Sequence, residues 1–327
     1  GMAGPHLGDV SVLGYDEDSC EFVHNTRHPI QQVPFGANPH NPRNPSFFAP
    51  YQPHSFAAYN KRRIFQCRSH DFIHWSEPVL VAAPDDVEDN LDESFYTMAQ
   101  FKLGTVHLAT IAVLRAVDNE MDVQLLVSRD GVRWGRTNKR QPFMAPRGDG
   151  HWDGHMVSMV SPPIDVGDET WFYHGGTDFH HDWWMFGAAE GMDHPEARSA
   201  LGGSWGLGLA TLRKSGYAGL YATKHREGIV VTRPVISLGT KLEINAKCEP
   251  GGSVRVEVAG HDDQVIQPCS VEANDPFTGD SVRHTVTWAG DANIPTAHGR
   301  GTWRKIRFYL RDAELFSFRF TDSLEEQ

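Results

Sequence analysis

Arg68-Ser69-His70-Asp71-Phe72-Ile73-His74-Trp75 and Val127-Ser128-Arg129-Asp130-Gly131-Val132-Arg133-Trp134 share one pattern, S-x-D-x-x-x-W, with their tryptophans 59 residues apart. Serine and aspartate in this spacing hold turns through their own side chains. An aromatic four residues past the aspartate packs between adjacent sheets. Each copy therefore predicts the outer hairpin of a four-stranded unit, repeated as in a β-propeller. A degenerate third copy is Leu212-Arg213-Lys214-Ser215-Gly216-Tyr217. The aspartates of these copies are read as turn formers.

Working outward, each copy has an upstream half rich in Val, Ile, Phe, Tyr and Trp. The first unit is expected to run from Val10–Tyr15 through Glu21–His24 and Arg63–Gln66 to Trp75. The second runs from Phe95–Met98 through Val106–Ala109 and Val123–Leu126 to Trp134, and the third from Met156–Met159 through Trp171–His174 and Leu207–Ala210 to Tyr221. Beyond about residue 226 the repeat stops. Ser253–Val258, Thr285–Trp288 and Lys305–Leu310 alternate with period two, which predicts a β-sandwich. The fold class is thus all-β, with propeller blades in residues 1–225 and a jelly-roll-like sandwich in 226–327. His194 to Leu201 is at most a short helix.

The 327 residues suit about two domains. The 31 glycines and 20 prolines punctuate short strands, and 39% hydrophobic residues are enough for folded cores. A net charge of −12 disfavours a nonspecific grip on nucleic acid or an anionic membrane, so neither is expected as a partner. Leu108 to Val117, the longest apolar run, is broken by Arg115 and falls far short of the ~20 residues of a membrane helix. No signal peptide is legible, which fits a cytoplasmic protein or a secreted one with its leader removed. Cys20, Cys67, Cys248 and Cys269 show no metal or redox spacing. Cys248 and Cys269 are either partners across strands or buried free thiols, the second being preferred.

The first strand of each blade lines a central channel, so acids that begin those strands converge on one funnel. Asp9, the pair Asp92-Glu93, and Asp153 hold these places. Carboxylates crowded at one end of a channel are pushed to different pKa values and can divide the tasks of glycoside cleavage. Glu93, with the longer arm, is the candidate general acid, and Asp9 or Asp153 the base or nucleophile. For any one acid the competing reading is a turn cap. Trp152, within Asp149-Gly150-His151-Trp152-Asp153-Gly154-His155, offers a ring face to a sugar. The run Tyr173-His174-Gly175-Gly176-Thr177-Asp178-Phe179-His180-His181-Asp182-Trp183-Trp184 adds imidazoles, carboxylates and tryptophans. His174, His180 and Trp183, together with Asp92 and Arg27, complete the expected sugar contacts. Packing between blades is the alternative for the tryptophans. Adjacent His180-His181 cannot both point at one ion from a regular strand, so no metal and no cofactor is assigned. Phosphate-binding glycine loops, serine-hydrolase elbows and zincin motifs are missing.

The segments Arg63-Ile64, Ser69-His70-Asp71-Phe72-Ile73-His74-Trp75-Ser76-Glu77-Pro78, Phe95-Tyr96-Thr97-Met98, Ser128 to Trp134, Trp152-Asp153 and Tyr173-His174-Gly175-Gly176 carry a resemblance. So do Gly208 to Arg213, Thr232-Arg233-Pro234, Leu242 to Ala246 and Asp312 to Phe318. As a set, spanning nearly the whole chain, they resemble bacterial proteins related to the five-bladed propellers of glycoside hydrolase families 32 and 43. The resemblance implies a propeller followed by a sandwich, with channel carboxylates acting on the glycosidic bonds of a neutral oligo- or polysaccharide. Only three blades are countable where such relatives have five, so two N-terminal blades are expected to be missing or to lie outside this sequence. Ser94 stands where relatives carry an acid, leaving Asp92 or Glu93 as substitutes. An incomplete ring leaves a blade edge to be covered by a second copy, by the first 60 residues or by the sandwich. A sialidase would need an arginine triad, for which Arg27, Arg63 and Arg213 show no signature. The competing function is a carbohydrate-binding or structural propeller without turnover.

Overall fold

The computed structural model describes residues 10–28, 62–85, 87–90, 92–115, 117–181, 203–237, 239–295 and 302–321. The chain is all-β. Among the described residues no α-helix occurs, and no helix is long and apolar enough to cross a membrane. The expected short helix at 194–201 lies outside the described residues. Two compact units divide the chain, the first built from residues up to 164 and 171–210, the second from 165–170 and 211 onward.

The first unit opens with an antiparallel sheet in sequence order, β1 (Ser11–Asp16), β2 (Glu21–His28), β3 (Arg63–Ser69) and β4 (Val79–Ala82). A second meander follows, with β5 (Glu93–Leu103), β6 (Val106–Arg115), β7 (Glu120–Ser128) and the two-residue β8 (Gly135–Arg136). Each is the four-stranded unit that the repeat predicts. The two turns are built alike. Ser69 Oγ accepts the N–H groups of Asp71 and Phe72 at 3.3 and 2.9 Å, and Asp71 Oδ1 accepts those of Ile73 and His74 at 2.9 and 2.7 Å. Ser128 Oγ takes Asp130 and Gly131 at 3.2 and 2.9 Å, and Asp130 Oδ1 takes Val132 and Arg133 at 2.9 and 2.7 Å. The aspartates of the pattern are turn formers, as expected. The sheets meet through Ile64, Val81 and Ala82 of the first and Phe95, Met98, Ala109, Ile111, Val113 and Leu126 of the second, with Trp134 packed against this cluster.

The third repeat continues the second sheet. Its strand β9 (Met156–Ser158) joins β7 through the parallel pair Met121–Met156, and β11 (Glu169–Thr177) pairs with β9, with β10 (Ile164–Val166) and with β12 (Trp205–Arg213). The repeat does not close at Tyr221 as expected. Leu220–Ala222 forms β13, which pairs with Ala313–Leu315 in the second unit's sheet.

That sheet adds β14 (Gly228–Val231), β15 (Val235–Ser237), β16 (Lys241–Gly260), β17 (Asp280–Thr285) and β18 (Thr302–Thr321). The two 20-residue strands β16 and β18 lie antiparallel, and both halves of each feed one core: Leu242, Ile244, Val254 and Val256 from β16, Ile306, Phe308, Leu310 and Leu315 from β18. Period two alone would turn half of β18 outward. Two register shifts prevent this. Inward positions run Ile306, Phe308, Leu310, then Ala313 and Leu315, then Phe318 and Phe320. The phase skips fall where β16 departs from regular pairing, at Asn245/Ala246 and at Cys248/Ser253. Each skip restores the core face, because one extra residue moves every later side chain to the other side. All four cysteines are free, and burial raises the thiols of Cys248 and Cys269 to about 11.

Candidate functional site

Asp153 sits at the end of a closed loop, residues 147–154, that ties its two ends together. Arg147 N–H donates to the Asp153 carbonyl at 3.2 Å and Gly148 N–H to the Gly154 carbonyl at 3.1 Å. Gly148 and Gly150 adopt φ of 83° and 82°, left-handed conformations that glycine enters without a Cβ clash. The loop's glycines therefore serve its own closure. The Asp153 carboxylate is buried. Arg147 Nε donates to Oδ1 at 2.6 Å, and His174 Nε2 lies 3.8 Å from Oδ2. His174, on β11, is itself buried, and among the described residues its Nδ1 has no hydrogen-bond partner. Trp152 stacks on the His174 ring at 5.5 Å and its indole lies against the backbone of Gly176 and Gly206, where a Cβ would come within 2.7 and 2.3 Å of the ring. Close approach of strand and indole is what requires glycine at these two positions.

Glu93 opens β5 in different surroundings. Its Oε1 lies 3.3 Å from Arg115 Nε, and Arg115 Nη1 reaches Asp122 Oδ2 at 2.6 Å. Asp89 is shared by Arg136 and Arg140, the latter at 2.6 Å. Burial raises the Glu93 carboxyl above its ordinary range, helped by the neighbouring Asp89 carboxyl and opposed by Arg115. Burial raises Asp122 in the same way, against Arg115. A proton-holding carboxyl suits a general acid.

Among the described residues Glu93 and Asp153 share no hydrogen-bond or ion-pair partner. Asp92 accepts the Val117 N–H on Oδ2 at 3.0 Å, bracing the turn after β6. The Arg27 guanidinium is buried 3.9 Å above the Tyr96 ring, and Tyr96 Oη lies 3.0 Å from His181 Nε2. His180 is buried and stacks on His155 with ring centroids 3.8 Å apart. Asp9 and Trp183 lie outside the described residues. Arg147, the partner of Asp153, carries no signal in the sequence beyond its place before a glycine-rich loop. A cavity of about 310 Å³ in the first unit is lined elsewhere, by Asp16, Asn25, Gln100, Lys102 and His107 among others, and includes no predicted site residue.

No family model and no curated protein matches this sequence. Solved structures do. An N-acetylgalactosamine deacetylase from F. plautii, in complex with blood group B trisaccharide, matches at 16% identity and a TM-score of 0.40, over 62% of this chain and 49% of its own. A family 117 glycoside hydrolase from the marine bacterium Zobellia galactanivorans matches at 14% identity and a TM-score of 0.40, over 94% of this chain and 84% of its own. A thermostable family 43 glycoside hydrolase matches at 11% identity and a TM-score of 0.34, over 51% of this chain and 47% of its own. This chain thus spans about half the length of the deacetylase and of the family 43 enzyme. The structures it is similar to include several glycoside hydrolases.

Proposed function

We propose that this chain is a glycoside hydrolase related to the family 32 and 43 propellers, with a propeller part followed by a sandwich. It acts on an uncharged oligo- or polysaccharide. The observation that carries this reading is the buried Asp153 carboxylate, held by Arg147 at 2.6 Å and facing His174, with an indole beside it. Asp153 is the base or nucleophile, Glu93, raised by burial, is the proton donor, and Asp9 is the third carboxylate. Trp152 and His174 contact the sugar. A second reading, a carbohydrate-binding propeller without turnover, is favoured by the tight ion network around Glu93, which has the look of a structural knot.

Release of reducing sugar across a panel of neutral glycans, with Asp153→Ala beside the parent, separates the two. Turnover lost in the variant supports the enzyme. Glycan binding without turnover, unchanged in the variant, ends that reading. A covered blade edge also remains a proposal, with a second copy of the chain as the cover. A sedimentation velocity run showing only monomer would remove it.

A further inference from the structure

Between the first two sheets, beyond their apolar contact, lies a polar face. Pairing sets Val12 beside Asn25 and Asn25 beside Gln66, so β1, β2 and β3 turn these residues to one side. Opposite them Lys102 pairs with His107, two residues after Gln100. The cavity of about 310 Å³ opens here, with Gly14, Asp16, Asn25, Gln100 and His107 in its wall. Gln66 fixes which way its amide neighbours point. Arg68 Nε, which can only donate, lies 2.9 Å from Gln66 Oε1, and the Gly131 carbonyl, which can only accept, lies 3.3 Å from Gln66 Nε2. Gln66 Nε2 therefore donates to Asn25 Oδ1 at 3.1 Å and to Gln100 Oε1 at 3.0 Å. Both amides keep their N–H2 groups turned away from Gln66. Among the described residues neither group has an acceptor, although Asn25 is only 3% exposed. His107, 7% exposed, has no hydrogen-bond partner at Nδ1 among the described residues, and that atom and Gln100 Nε2 each lie 3.2 Å from where a Cβ of Gly131 would stand. Buried polar groups without partners are costly, so this cluster around one cavity calls for a partner inside it.

We propose that this cavity binds one neutral sugar ring through its hydroxyls. A hydroxyl both donates and accepts, which matches a wall that offers the Asn25 N–H2 as donor, the Asp16 carboxylate as acceptor and the His107 imidazole as either. Tyr15, which also lines the cavity, adds a ring face for C–H surface. Ions suit the wall less well. Arg68 Nη1 lies 3.4 Å from Asp16 Oδ2, and Lys102 pairs with Asp16 and Asp18, so no uncompensated cation waits for an anion. Burial lowers the His107 imidazole below its ordinary range, which leaves it uncharged at neutral pH. A metal ion would meet the N–H2 end of Asn25 where it needs oxygen. The volume is at the small end of the ~300–1,000 Å³ typical of small-molecule pockets, which suits a single ring. Gly14, between the inward-facing Val12 and Asp16, leaves open the space that a side chain would fill. Gln100 and Lys102 stand near the far end of β5, which Glu93 opens, so at ~3.3 Å per residue the cavity lies roughly 20 Å from that carboxylate. It is a second site, read from its own donors, and does not rest on the glycosidase reading.

The experiment titrates the full chain, with nitrogen-labelled asparagine, against the methyl glycosides of glucose, galactose, mannose, xylose and arabinose, each to about 20 mM, and reads binding by NMR. At least one probe should bind with a dissociation constant of about 1 mM and move the Asn25 N–H2 signals. Asn25→Asp keeps the oxygen that Gln66 needs and removes the donor, and should weaken binding about 10-fold. Gly14→Val fills the cavity from β1, where a Cβ has nothing nearer than 3.7 Å, and should abolish binding. Asp153→Ala should bind as the parent does, so a loss of turnover in that variant leaves this site standing. Binding lost in Asp153→Ala, or unchanged in both folded cavity variants, overturns the proposal. Should the cavity variants fail to fold, the parent decides. Asn25 signals that stay still with every probe, or that move with inorganic phosphate or Ca²⁺ instead, overturn it.

Discussion

Glu93 and Asp153 are buried to nearly the same degree, 6% and 5% exposed, yet they have unlike neighbours. The carboxylates around Glu93 are buried with it, while its own partner Arg115 is 25% exposed. The Asp89 and Asp122 side chains are 1% and 3% exposed and that of Arg136 9%. Asp153, by contrast, is held by an arginine whose side chain is 49% exposed. Removing ions from water costs several kcal/mol each unless every partner is in place. In the Glu93 network, deleting a member strands a buried partner such as Asp122 or Asp89. The partner of Asp153 lies half in solvent, and the carboxylate also faces His174. Burial alone does not distinguish the two carboxylates, whereas the exposure of their counter-ions does, at 25% for Arg115 and 49% for Arg147.

The strongest test of that contrast is kinetic. On a glycan that the parent hydrolyses, Asp153→Ala and Glu93→Gln should each lower turnover by about 10³-fold, the middle of the range for general acid or base groups. Aryl glycosides with acidic leaving groups then separate the roles. Their departure needs no proton, so Glu93→Gln should recover most of its rate while Asp153→Ala should not. Recovery in neither variant, or in both, would break the assignment. Next in size is stability. Asp122→Asn leaves Arg115 short of a buried partner and should cost about 3 kcal/mol in chemical denaturation. Arg147→Ala removes a half-exposed partner and should cost under about 1 kcal/mol. Equal losses would mean that the two neighbourhoods do not differ as described.

The fold was more legible than the site, and particular residues show why. The S-x-D-x-x-x-W turns depend on contacts within seven residues, so Asp71 and Asp130 declare themselves in the sequence. The strands leading into both turns lie where the apolar stretches put them. Strand β18 could be read only in part. Lys305–Leu310 alternates cleanly, but the phase skips around Asp312 and Phe316 answer irregularities in β16, some 65 residues earlier in the chain. Strand β13 was misplaced for a similar reason, since its partner, Ala313–Leu315, is nearly a hundred residues away. Asp153 and Glu93 stand out in the sequence because they precede or begin repeated strands. Arg115 does not, because a salt-bridge partner across strands leaves no local pattern. His155 lies within a glycine-flanked run, yet its neighbour Glu120 comes from a distant strand and is brought beside it only by folding.

The smallest expected effect concerns pH, and it sets the Glu93 network against the Asp130 turn. Burial raises Glu93 in the folded chain above its unfolded value of 4.5. The folded state then binds that proton more tightly than the unfolded one. The resulting stability is present in full below 4.5 and is lost as pH rises through the folded value. Asp130 is the reverse case. The N–H groups of Arg133 and Val132 hold its carboxyl down at about 2, so its contribution is present above 3.8 and is lost as pH falls toward 2. Two variants should accordingly diverge from the parent in opposite directions. In thermal unfolding between pH 4 and 7, Glu93→Gln should gain on the parent as pH rises, because it has no proton to lose. Between pH 4 and 2, the parent's advantage over Asp130→Asn should shrink as pH falls, because protonation removes from the parent what the amide lacks already. If the Glu93→Gln difference is flat from pH 4 to 7, that carboxyl is not raised, and the case for it as the proton donor falls with it.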